Sequence, residues 1–100
     1  MTLNELHNFI FTELGVNHSY KAGSRIDNLA VKHARAIFCT IASDMGFDKW
    51  DISEHIMREY PTVNYDIRLY KSLLENDDFL SKSICESYNK IVALLRETKN

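Results

Sequence analysis

The sequence predicts an all-α single domain, and three observations predict it. Apolar residues recur at the three- and four-residue spacing of amphipathic helices and do not alternate as half-buried strands do. Cap, glycine and proline signals cut the chain into about five such segments. The chain has 100 residues, the size of one domain, with 45% hydrophobic and 26% charged residues, a composition neither disordered nor fibrous.

The first helix is expected over residues 2–14. Thr2 and Glu5 form a capping-box pair, Leu3, Leu6, Ile10 and Leu14 make the apolar stripe, and Gly15 supplies the stop. Residues 17–24, mostly polar around Gly23, are the most loop-like stretch. A long helix is expected over 25–45, capped by Ser24 with Asp27 and closed by Gly46. Ile26, Leu29, Ala30, Ile37, Ile41 and Met45 repeat along it at helical spacing. Its second half is apolar on most of its circumference (Ala36, Ile37, Phe38, Cys39), which marks it as the central helix.

A short third helix is expected over 49–58. Asp48 is placed to accept from first-turn amides, Asp51 adds favourable charge, and Phe47 with Ile52 occupies the positions of a hydrophobic staple. Glu59 and Tyr60 form a tight break. Pro61 suits the first turn of a fourth helix, 61–74, where its missing N–H costs nothing. Val63, Ile67, Tyr70 and Leu74 point inward from it. Asn76, Asp77 and Asp78 open the last helix, whose inward stripe is Phe79 or Leu80, Ile84, Tyr88, Ile91 and Leu95, with fraying after Arg96.

Several functions are excluded by what the sequence lacks. The longest apolar runs, residues 9–11 and 91–95, fall far short of the ~18–20 residues of a membrane span. The first residues carry no positive region ahead of an apolar stretch, so they do not read as a signal peptide, and a cytoplasmic protein is expected. Cys39 and Cys85 lie in helical apolar segments and read as buried reduced thiols, with a disulfide between two helices the alternative. His7, His18, His33 and His55 form no metal-ligand spacing with each other or with the cysteines. Glu54 and His55, adjacent on a helix, diverge, and His33 reads as a packing residue. With no phosphate loop and no nucleophile motif, the expectation is a protein that is not an enzyme and needs no cofactor or metal.

The third helix, the break and the fourth helix have the proportions of a helix-turn-helix, whose second helix enters the major groove with its N-terminal residues foremost. That tip would present Tyr60, Pro61, Thr62, Asn64 and Tyr65, with Arg68 one turn on. Tyr65, Arg68 and Ser72 stand opposite the inward stripe, and these residue types donate hydrogen bonds to phosphates and base edges.

Residues 58–65, Arg-Glu-Tyr-Pro-Thr-Val-Asn-Tyr, resemble the signature of the C-terminal DNA-binding domain of the bacterial replication initiator DnaA, Arg-Asp-His-(Ser/Thr)-Thr-Val followed by a helix. Arg35-Ala36-Ile37 through Ile41-Ala42 is similar to that family's helix beginning with a DNA-contacting arginine, and residues 51–56 to the first helix of its helix-turn-helix. The resemblance spans about residues 25–95 of a single 1–100 domain and implies a bacterial or phage protein. It implies that Arg35 reaches a groove or phosphate beside the recognition helix, and that Arg58 and Thr62 contact bases or phosphates at its tip. Tyr60 stands where the family has histidine, Glu59 replaces aspartate and Pro61 replaces Ser/Thr. The segment before Arg58 is about two residues short and lacks the family's glycines, so the family's sequence preference does not carry over.

Charge qualifies the reading. The chain carries a net −2, and residues 48–72 set Lys49, Arg58, Arg68 and Lys71 against Asp48, Asp51, Glu54, Glu59 and Asp66, a net of −1. Phosphate contacts supply most non-specific affinity, so this is a poor start. Residues 21–35 set Lys21, Arg25, Lys32 and Arg35 against Asp27 alone, a net of +3. If the long helix packs behind the recognition helix, it supplies the missing cations. The leading expectation is a small protein that binds duplex DNA through Arg35, Arg58, Tyr60, Thr62, Asn64, Tyr65 and Arg68. The alternative is a helical protein-interaction module that keeps the fold without DNA affinity, anchored by Tyr20, Trp50, Tyr60 and Tyr65. Homodimerisation is compatible with either.

Overall fold

A computed structural model describes residues 1–16, 29–75 and 79–98. They form five helices: α1 (Leu3–Glu13), α2 (Leu29–Asp44), α3 (Lys49–Ile56), α4 (Tyr60–Glu75) and α5 (Phe79–Thr98). No strand occurs among the described residues. The expected loop at 17–24, the start of the long helix before Leu29 and the opening of the last helix at 76–78 lie outside the described residues, as does Tyr20.

The starts of α1 and α3 follow from local hydrogen bonds. Thr2 Oγ1 accepts from Glu5 N–H while Glu5 Oε1 accepts from Thr2 N–H, both at 3.1 Å, completing the capping box. Asp48 accepts from Trp50 N–H at 2.7 Å and opens α3. The ends of α1 and α2 share one device. Gly15 and Gly46 take φ of 71° and 97°, and the residue after each donates back to a carbonyl in the last turn, Val16 to Phe11 and Phe47 to Ala42.

α3 ends the same way without a glycine. Met57 stands at φ 54°, its N–H on Glu54 O, and Arg58 N–H returns to Ser53 O at 3.0 Å. The helix therefore stops two residues earlier than its periodicity predicts. A side chain in the left-handed region costs about 1–2 kcal/mol, and Met57 is 67% exposed, so it loses little packing if removed. Met57→Gly is expected to raise stability by about 0.5–1 kcal/mol, read as a higher midpoint in thermal melts. An unchanged or lower midpoint would contradict that account.

α2 is the central helix. Residues 36–42 form an unbroken buried run, and the Thr40 hydroxyl within it donates to Ala36 O at 2.8 Å. Around α2 pack Leu6, Ile10 and Phe11 of α1, Ile52 and Ile56 of α3, Val63, Ile67 and Tyr70 of α4, and Ile91 and Leu95 of α5. The expected inward residues Leu6 and Ile10 of α1, Val63, Ile67 and Tyr70 of α4, and Ile91 and Leu95 of α5 are thus in the core, with Leu3, Leu14 and Tyr88 partly buried at its margin; on α4 it is Leu73, and not the expected Leu74, that packs against the core. Cys39 and Cys85 are free thiols, Cys39 buried and Cys85 half-buried. Burial, with a smaller push from the Asp66 carboxylate, drives the Cys39 thiol pKa up to about 12.

Two polar ties join helices across the bundle. Asp44, at the end of α2, accepts from Tyr88 Oη at 2.9 Å and pairs with Lys71 at 3.2 Å, linking α2 to α5 and α4. His7 of α1 and His55 of α3 meet at 3.1 Å between Nδ1 and Nε2, against the Phe11 and Phe38 rings. No helix among the described residues is long and apolar enough to cross a membrane.

Candidate nucleic-acid interface

α3, a three-residue turn and α4 form a helix-turn-helix laid across α2. The left-handed Met57 swings the chain out of α3, and the Glu59 carbonyl accepts from Thr62 and Val63 N–H to start α4. Pro61 sits in that first turn, where it removes no bond. α4 begins at Tyr60, one residue before the expected 61, and Val63, Ile67 and Tyr70 turn it against α2, its most extensive partner. The long helix therefore packs behind the candidate recognition helix, and Lys32 and Arg35 reach the N-terminal half of α4.

This packing changes the charge balance. Lys32, Arg35 and Arg58 all act on the Asp66 carboxylate. Three cations thus lie within electrostatic reach of one acid, although the helix-turn-helix segment by itself is net negative. Arg35 and Asp66 face each other at 3.9 Å with side chains 17% and 16% exposed. Burial raises the Asp66 pKa above its ordinary value, and Arg35, then Arg58 and Lys32, oppose that rise. Burial also raises the Tyr70 hydroxyl, and it lowers His33, whose ring meets Tyr70 edge-on at 5.9 Å.

The seven residues singled out from sequence fall into three situations. Arg68 is exposed on the outer side of α4, and Thr62 and Tyr65 are exposed on its flank towards α2, Tyr65 at 65%. Arg35 lines a groove of about 440 Å³ between α2 and α4, together with Lys32, Thr62, Tyr65, Asp66 and Tyr70. Arg58 and Tyr60 belong to a second concavity beside the turn, with Trp50, Met57 and Pro61. Tyr60 stacks on Trp50 with centroids 4.3 Å apart and planes at 29°, and Asn64 Oδ1 accepts from Lys49 Nζ at 3.2 Å. Tyr60 and Asn64 are therefore committed to contacts with α3.

Sequence reasoning missed Asp66 as the acid that meets Arg35. Its position carried a signal, because Thr62, Asp66 and Tyr70 follow one another at four-residue steps on one helix face. Which helix that face meets had no local signal. Compared with known proteins, the chain matches no protein-family model, and it matches no curated protein sequence.

Proposed function

We propose that this chain is a small cytoplasmic, DnaA C-terminal-domain-like DNA-binding protein that lays α4 in the major groove of duplex DNA. One observation carries the reading: α2 lies directly behind α4, so Lys32 and Arg35 line one groove with the exposed Thr62 and Tyr65, and Arg58 acts on the Asp66 carboxylate of the same groove. In this reading Thr62, Tyr65 and Arg68 meet base edges or phosphates, and Lys32 and Arg58 hold the flanking backbone. With about four phosphate contacts, affinity for a ~20-base-pair duplex should fall about a hundredfold between ~50 and ~200 mM salt. Fluorescence anisotropy measures this directly. Absence of binding at ~50 mM salt overturns the proposal, since such binding is strongest there.

A second reading, a protein-interaction module, is favoured by the apolar ledge beside the turn. Trp50 is 62% exposed and Met57 67%, and the Trp50–Tyr60 stack presents a rigid aromatic surface of the kind enriched at binding hot spots. The same titration separates the two, because a module that keeps the fold without DNA affinity binds no duplex even at ~50 mM salt.

A further inference from the structure

Three polar side-chain atoms between α2 and α4 are buried without a hydrogen-bond partner: Arg35 Nε, Asp66 Oδ2 and Tyr70 Oη. Arg35 Nε and Asp66 Oδ2 are 3.9 Å apart, too far for the N–H···O bond that a guanidinium and a carboxylate make at about 2.8 Å. The pair therefore gains Coulombic attraction but lacks the hydrogen bonding that normally offsets desolvation. The charges facing Asp66 are Lys32 and Arg35 from α2 and Arg58 from the turn, and Cys39 and Tyr70 feel its field. Lys32 is exposed and Arg58 half-buried, whereas Arg35 is drawn into the groove.

We propose that Asp66 is an internal substitute for a DNA phosphate, holding Arg35 in the α2–α4 groove of the free protein until a backbone phosphate displaces it. The inference rests on the DNA-binding reading and adds a control of affinity to it. A phosphate accepts two parallel hydrogen bonds from a guanidinium. Exchange of acceptors thus gives Arg35 the bonds that Asp66 does not provide at 3.9 Å. The cost is that Asp66 loses its nearest cation, which keeps wild-type affinity below what the same cations would otherwise reach.

The test is a double-mutant cycle with Asp66→Asn and Arg35→Ala on a ~20-base-pair duplex at ~50 mM salt. Asp66→Asn is expected to bind about tenfold tighter, with a salt slope steeper by about one. In the Arg35→Ala background that gain should vanish. Wild-type binding with no gain in Asp66→Asn overturns the inference alone, as does an equal gain in both backgrounds, which would be a general charge effect. Failure of both wild type and Asp66→Asn to bind overturns the DNA-binding reading and the inference together. A second measurement needs no variant. The Arg35 Nε–H resonance of the wild type should shift on adding duplex. If it stays in place while the Thr62 and Tyr65 amide signals move, the exchange does not occur.

Discussion

Replacing Arg58 and Arg68 together by alanine is expected to weaken binding to duplex DNA about a hundredfold at ~50 mM salt. Each lost phosphate contact costs on the order of 1.4 kcal/mol, a factor of ten, and flattens the salt dependence by about one unit of slope. Arg68 stands on the outer face of α4, and Arg58 lies in the turn, where its charge reaches Asp66. Neither is in the hydrophobic core, so the double variant should still fold and melt cooperatively. Arg96→Ala is the matching control. That exposed arginine lies in the groove that Asp44 and Met45 form with α5, at the opposite end of α2 from Lys32 and Arg35. Equal losses in the control and the double variant would mean diffuse attraction with no defined interface.

What the sequence made legible was everything decided within one or two helical turns. The capping box at Thr2 and Glu5, the Asp48 cap and the stripe of α4 are contacts between residues two to four apart, so residue type and spacing suffice. The end of α3 was misplaced because Met57 takes a conformation that sequence reading expects of glycine. The candidate site was half legible for a related reason. Exposure of Tyr65 and Arg68 follows from the stripe opposite them, which is local. That Arg35 meets Asp66 and Tyr60 meets Trp50 depends on how helices cross, and periodicity along one helix carries no information about the rotation of its neighbour. Net charge was legible only as a condition: the sum over 48–72 omits Lys32 and Arg35, and whether they join the site depended on the long helix packing behind α4.

The His7–His55 pair, 48 residues apart in sequence, is expected to make the fold sensitive to mild acid. His7 is 1% exposed, and its Nδ1 bond to His55 Nε2 requires that one of the two nitrogens carry no hydrogen. Protonating both rings would put two N–H groups and two cations face to face in a cluster walled by Phe11 and Phe38. Below the ordinary histidine range near 6.5 the folded pair can therefore hold one proton fewer than the same two histidines in the unfolded chain. Stability then rises with pH across this range and is lost as pH falls below about 6.5. His33, lowered from 6.5 by burial, adds a contribution of the same sign. Asp66, raised from 3.8 by burial, works in the opposite direction as it takes up a proton at lower pH. Glu5, lowered by its bonds to Thr2, loses its contribution only below the usual carboxylate range. For one excluded proton the expected loss between pH 7 and 5 is about 2 kcal/mol. Urea unfolding of wild type and His55→Gln at both pH values isolates it, since glutamine still bonds to His7 but cannot titrate. The variant should lose most of the difference. If it keeps the whole pH dependence, the joint between α1 and α3 is not what acid breaks.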